Sequence, residues 1–293
     1  MPSKLPAASD GPSSAKSLRR GEFWRLLKGW KFWVPTGVAT LGFFLYGVAA
    51  YEVAIGVILV VLVLGVALWA TWMLAGFKAS SSFLDSYAKS RGLKVGDGEV
   101  PVKATPLLRE GVGRGTSWTM GGEVAPGIDG TLAQFYYEVP TLDTDGTPST
   151  NKVYFTIGVV ELPECAALVP ELYCKRKSGL RSLEKLEDAF RVGKKRVTLE
   201  SEALADRYEI FTRQDQDDVW LRRLFSPSFI VWLTESPPEK FVFELVDGTL
   251  VAYIPDSHED IVSLDAVLAA TGAVATRLRE EAAETTVAAP SKA

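Results

Sequence analysis

Two apolar runs stand back to back near the N-terminus, 33–51 and 53–76, and they constrain everything else in the chain. Between Lys31 and Lys78 the only formally charged residue is Glu52. One helix over that stretch would be roughly 65 Å long at 1.5 Å per residue, about twice the hydrocarbon core of a bilayer. Folded at Glu52, the same stretch gives two spans of suitable length. The reading is a two-helix transmembrane hairpin over 33–76, followed by a soluble domain over 77–284.

Charge sets the expected sidedness. The first 31 residues carry seven Lys and Arg against Asp10 and Glu22, the connection at 49–52 has no cation, and Lys78, Lys89, Arg91 and Lys94 follow the second run. Cytoplasmic flanks of membrane helices are enriched in Lys and Arg. Both termini are therefore expected in the cytoplasm of a bacterial inner-membrane protein. Trp30, Trp33, Trp69, Trp72 and Phe77 mark the edges of the spans, where amphipathic rings sit at headgroup level. A cleavable signal peptide is disfavoured by the long leader before Trp33 and by the second apolar run directly behind the first. The spans offer few polar groups, and a channel or transporter usually needs buried ionisable groups or broken helices. Two bare helices read as an anchor.

Residues 1–17 and 285–293 are small and polar and read as disordered. Between leader and hairpin, 18–32 has an amphipathic pattern. On a helical wheel Phe23, Leu26, Leu27, Trp30 and Trp33 share one side, and Arg25, Lys28 and Lys31 share the other. That pattern suits a helix lying in the interface, its cations facing anionic lipid headgroups. It equally suits a plain basic flank, and both readings stay open.

From Phe77 onward there are 25 Lys and Arg against 33 Asp and Glu. An acidic domain is a poor partner for nucleic acid, whose binding rests on neutralising phosphates. Cys165 and Cys174 are not in a CxxC spacing and His258 is the only histidine, so no structural zinc site is expected and no cofactor is implied. On the cytoplasmic side the two cysteines read as reduced thiols; outside it they could pair. Gly111-Val112-Gly113-Arg114-Gly115-Thr116 has the glycine content of a phosphate loop but lacks the lysine, and reads as a hairpin or flexible loop.

Strands are expected at 132–139 and 152–160 around the turn formers 143–148, and at 196–199 and 208–212. Short helices are expected at 182–190, 202–205 and 217–224, and one starts at Ser226-Pro227 with serine as cap. Asp247-Gly248 between apolar runs 241–246 and 249–254 is a strong hairpin signal. Ile261, Leu264, Val267, Leu268, Thr271, Val274 and Leu278 repeat at helical spacing, with Ser257 and Asp260 offered as caps. Strand pairs with helices between and after them give an α+β domain.

Asp215, Asp217 and Asp218 could serve acid/base chemistry or a metal, or simply suit the positive end of the helix that follows them. Lys175, Arg176, Lys177 and Lys194, Lys195, Arg196, with Arg181, Lys185 and Arg191 between, form a basic stretch interleaved with Glu184, Glu187 and Asp188. It reads as a face toward the membrane or an acidic partner, or as a solvated surface. His258 reads as an exposed loop residue.

Leu199-Glu200-Ser201-Glu202-Ala203-Leu204, Tyr208-Glu209-Ile210, Leu221-Arg222-Arg223-Leu224-Phe225-Ser226-Pro227-Ser228-Phe229-Ile230 and the Asp247-Gly248 hairpin resemble a family of actinobacterial-type membrane proteins. The resemblance covers 197–254 and implies two N-terminal spans before a cytoplasmic domain. That family has no assigned reaction, so it implies no site residues. The favoured function is a non-enzymatic binding or regulatory module tethered to the membrane, with a protein partner or a second copy as its ligand. A membrane-anchored hydrolase using Asp215, Asp217 and Asp218, and a structural oligomer joined through Gly37, Gly42 and Gly47, are the alternatives.

Overall fold

The computed structural model describes residues 13–50, 52–101, 104–143, 145–177 and 193–288. The helix expected at 182–190, the cations Arg181, Lys185 and Arg191, the acids interleaved with them, and most of both expected tails lie outside the described residues. The chain divides into two compact units, one holding Ala8–Ser90 with Glu259–Ile261, the other holding Arg91–His258 and Val262–Ala293.

The first unit is helical. Helices α1 (Ala15–Lys28), α2 (Trp30–Ala50) and α3 (Val53–Arg91) follow one another closely. Ser14 starts α1 by accepting the Ser17 N–H, and Gly29 ends it in an extended conformation, so α1 and α2 meet at an elbow. By length and composition α2 and α3 are both capable of crossing a membrane, and their apolar windows bury little. Their side chains are exposed on all sides, as in Val38, Leu41, Leu45, Ile58, Val61 and Leu62. Thr40 and Thr71 return their hydroxyls to the carbonyls of Thr36 and Ala67, which satisfies them inside the helix. The charged half of α3 continues the same helix to Arg91 without a break.

Near the turn the two backbones touch. A Cβ on Gly47 would fall 2.6 Å from Gly56 Cα, and one on Gly56 would meet Val48 and the Phe44 carbonyl. Gly37 and Gly42 have nothing within 4 Å, so of Gly37, Gly42 and Gly47 only Gly47 serves this contact. Gly47→Leu should therefore lower the thermal midpoint of the full chain in detergent, by about 1–3 kcal/mol of overpacking. Gly37→Leu should leave it unchanged, and equal effects of the two would show that the helices do not meet there.

The second unit is α+β. Nine described strands form one antiparallel sheet in the order β1-β2-β3-β4-β9-β8-β5-β7-β6. They are β1 (Lys94–Val95), β2 (Arg114–Ala125), β3 (Ile128–Leu142), β4 (Pro148–Glu161), β5 (Glu171–Arg176), β6 (Lys194–Val197), β7 (Tyr208–Arg213), β8 (Val242–Val246) and β9 (Thr249–Pro255). The β3–β4 pair runs from Thr131↔Val159 to Leu142↔Pro148, around the turn that the Asp143–Pro148 residue types favour. The β8–β9 loop is Asp247-Gly248 with φ of 48° and 84°, the two positive values that this tight hairpin requires.

Between the strands lie α4 (Pro106–Arg109), α5 (Pro163–Ala166), α6 (Glu202–Arg207), α7 (Asp218–Leu224), α8 (Pro227–Glu235) and, at the end, α9 (Ile261–Ala288). Ser226 stands at the N-cap of α8, but its hydroxyl makes no capping hydrogen bond to the helix and lies 3.2 Å from that of Ser228. The Ser257 hydroxyl accepts from Gln134 Nε2. α9 also has the length and composition of a span, but half of that window is buried in the domain. Leu264, Val267, Leu268, Thr271, Val274 and Leu278 are its inward row. On the sheet face away from α9, Val100, Ala104, Leu107 and Leu108 cover a core of Phe135, Phe155, Ile157, Tyr173, Val251 and Tyr253.

Candidate functional site

The exposure of α1 separates two sides. Lys16, Arg20, Trp24 and Lys28 form an exposed i, i+4 row, flanked by exposed Ser17, Gly21 and Arg25. Leu18, Arg19, Glu22, Phe23, Leu26 and Leu27 are half-buried on the other side. Lys31, just past the Gly29 elbow, is exposed as well. Arg25 pairs with Glu22 one turn away.

Arg19 faces inward and does something different. Its guanidinium lies 4.4 Å from the Trp72 ring centre and donates to the Trp72 carbonyl at 3.3 Å. It also packs on Gly76, where a Cβ would come 3.2 Å from Arg19 Nε. Phe23 meets the same indole edge-on at 5.2 Å. Arg19 and Phe23 thus clasp α1 to the last apolar turns of α3. The start of α1 is fixed too: the Ala15 N–H donates to the Glu259 carbonyl and the Ile261 N–H to that of Ser13.

The second basic stretch is divided by strand alternation. Lys194 and Arg196 point to one face of β6 and Lys195 to the other. Lys194 Nζ lies 3.2 Å from Glu171 and 3.7 Å from the Tyr173 ring centre. Lys195 pairs with Asp218 at 2.7 Å and Arg196 with Glu209 at 3.2 Å. Lys175 is buried, Arg176 stands 6.0 Å from the Tyr208 ring centre, and Lys177 is exposed at the end of β5.

The three aspartates each have a local role. Asp215 is bridged by Arg213, Asp217 accepts the Val219 N–H as cap of α7, and Asp218 holds Lys195. The Lys195 hydrogen bond and charge hold the Asp218 carboxyl below its ordinary value. No group of three or more His, Cys, Asp and Glu able to hold a metal occurs among the described residues. His258 is half-buried rather than exposed, its Nε2 3.0 Å from the Pro255 carbonyl. Cys165 and Cys174 are free and fully buried, and burial pushes the Cys165 thiol up to about 12 and that of Cys174 well above its usual value. Of the glycine-rich loop, Val112 and Gly113 exchange backbone hydrogen bonds with Glu138, and Arg114 opens β2, so these groups serve the sheet.

Two features escaped the sequence reading. One is an open groove of about 620 Å³ at the β1–β4 end of the sheet, lined by Asp97, Glu99, Asp129 and Glu161 together with Lys94 and several glycines. The other is Glu244. One register row crosses every strand: Lys94, Gly121, Thr131, Val159, Val251, Glu244, Tyr173, Phe211 and Arg196. Glu244 stands inside it, 2 % exposed, and accepts the Leu107 N–H at 2.9 Å. Burial raises its carboxyl to about 7, against the pull of Thr105, Leu107, Lys175 and Lys194. The signal was a single glutamate inside the apolar run Phe241-Val242-Phe243-Glu244-Leu245-Val246.

No protein-family model matches the chain, and no curated protein matches it. Among solved structures it is similar to the crystal structure of the mycobacterial trehalose monomycolate transport factor A, TtfA. Identity is 10%, the match covers 69% of this chain and 93% of that one, and the TM-score is 0.40. A likeness of that size carries no argument about the fold or the role of this chain, which rest on its own helices and sheet.

Proposed function

We propose that this chain is a membrane-anchored, non-enzymatic binding or regulatory module. In this reading 33–76 crosses the inner membrane as a hairpin, and both termini and the domain over 77–284 lie in the cytoplasm. One observation carries the anchor: α2 and the first part of α3, residues 53–76, are apolar around most of their circumference with exposed side chains, a pattern that suits a lipid-facing helix. Lys and Arg on both flanks, with none at the turn, support the sidedness. On the domain, Asp215, Asp217 and Asp218 are engaged in capping and ion pairing, which favours binding over chemistry.

Sidedness is tested by thiol labelling. The native cysteines are buried, so the probe is Gln214→Cys, at an exposed turn. A membrane-impermeant maleimide should label it only after permeabilisation, and labelling in intact cells would place the domain outside. For chemistry, the full chain in nanodiscs is assayed against ester, phosphoester and peptide substrates. Turnover that disappears when Asp215, Asp217 and Asp218 all become Asn would overturn the non-enzymatic reading.

A further inference from the structure

We infer that α1 and the elbow after it form an arm for anionic lipid headgroups, with Lys16, Arg20 and Lys28 of the helix and Lys31 just past it as phosphate contacts and Trp24 as the interfacial anchor. The inference rests on the hairpin reading above and adds a ligand to it.

Depth is the first argument. Arg19 and Phe23 hold α1 against Trp72 and Gly76. Those residues form the last apolar turns of α3 before Lys78, its first charged residue. About two residues, or roughly 3 Å of helix, separate Gly76 from that charge. A helix clasped at that level lies beside the headgroups rather than in the hydrocarbon or in free solution. Indole rings favour the same level, and Trp24, Trp30, Trp33 and Trp69 are all strongly exposed there.

Charge is the second argument. Lys16, Arg20, Lys28 and Lys31 have no ion-pair partner among the described residues, whereas Arg25 has Glu22 and Arg19 has Trp72. The row leaves Lys16, Arg20 and Lys28 open on one side of a helix whose other side is packed, and Lys31 is exposed just past the elbow. Glu22, the one acid of α1, is turned inward on that packed side. Lys and Arg near an anionic leaflet are attracted to it, and the attraction falls within a Debye length. Arg19 acts on this surface as a positioning residue: it sets the depth at which the four cations sit.

The test uses the full chain with an environment-sensitive fluorophore on Ser17→Cys, beside the row. It is placed in nanodiscs of phosphatidylcholine alone, or of phosphatidylcholine mixed with phosphatidylglycerol. Phosphatidylglycerol should blue-shift the probe, added salt should reverse the shift, and inorganic phosphate in a phosphatidylcholine disc should not reproduce it. Each cation changed to Gln should lower phosphatidylglycerol retention about fivefold, as expected for roughly 1 kcal/mol per charge. Arg19→Gln should reduce the shift although the four cations remain. The same response in both lipid compositions, or a response that survives the four substitutions together, overturns the inference. Carbonate washing of membranes reads the anchor separately: a chain that washes off refutes the hairpin, and a chain that stays without a lipid response refutes only the arm.

Discussion

Gly158→Ala should destabilise the domain by about 2–3 kcal/mol, lowering its thermal midpoint by roughly 5–10 °C. A Cβ at this position in β4 would lie 2.1 Å from Thr271 Oγ1 and 2.9 Å from Thr271 Cβ. Neither side has room to yield. Thr271 is fully buried on α9, and its hydroxyl is bound to the Val267 carbonyl at 2.8 Å. A second close approach follows on the next residue of the helix, where a Cβ on Gly272 would come 2.6 Å from the Val124 carbonyl of β2. Glycine inside a strand weakens it, and its presence marks a close approach. The check is a double-mutant cycle by chemical unfolding of the full chain in detergent. Thr271→Gly alone costs roughly 0.3–0.5 kcal/mol of helix propensity plus the loss of its buried side chain, yet combined with Gly158→Ala it should recover most of the loss from the clash. Strict additivity of the two changes would mean that α9 is not seated on β4 through this pair.

Local signals carried much of this fold and little of its polar chemistry. The β8–β9 hairpin was legible because Asp247-Gly248 encodes its own turn, and α9 because its apolar residues repeat at helical spacing over several turns. Residues 92–130 were not legible. β1 has two residues, and β2 contains Gly115, Gly121 and Gly122 and two register shifts, at Thr116/Trp118 and Glu123/Ala125. Those irregularities break the two-residue period on which a strand is recognised. The basic stretch at 194–196 looked like one surface, but the acids that meet it come from β5, β7 and α7. Such partners are set by sheet order, which no local window contains. Glu244 was missed for the same reason: the N–H that it accepts belongs to a residue 137 positions earlier. On α1 the wheel showed Arg25, Lys28 and Lys31, but only packing distinguishes Arg19 on Trp72 from Lys16 and Arg20 in the open.

Glu244 makes the domain's stability depend on pH near neutrality. Its carboxyl titrates at about 7 in the folded domain against an ordinary 4.5, so the folded state holds this proton more tightly than the unfolded chain does. Between those two values folding takes up a proton. The resulting stabilisation is full below about pH 4.5 and is lost as pH rises through about 7. A displacement of that size is worth on the order of 3 kcal/mol at 1.36 kcal/mol per pH unit. Other perturbed groups act outside the window. Tyr137, pushed up to about 12, and Tyr173 and Tyr253, pushed up by burial, titrate in alkali. Asp218, held low by Lys195, acts in acid and with the opposite sign.

The expected result is therefore a chemical-unfolding stability that falls from about pH 5 to about pH 8 in the parent chain, and a flatter profile in Glu244→Gln. The amide keeps an acceptor for the Leu107 N–H without a charge to bury, so the two profiles should separate most at the alkaline end. There the parent holds a carboxylate beneath Thr105 and Leu107 that Lys175 and Lys194 only partly offset. Parallel profiles would mean that the carboxylate reaches water by local opening, in which case the segment from Ala104 to Arg109 is not a fixed cover on the sheet.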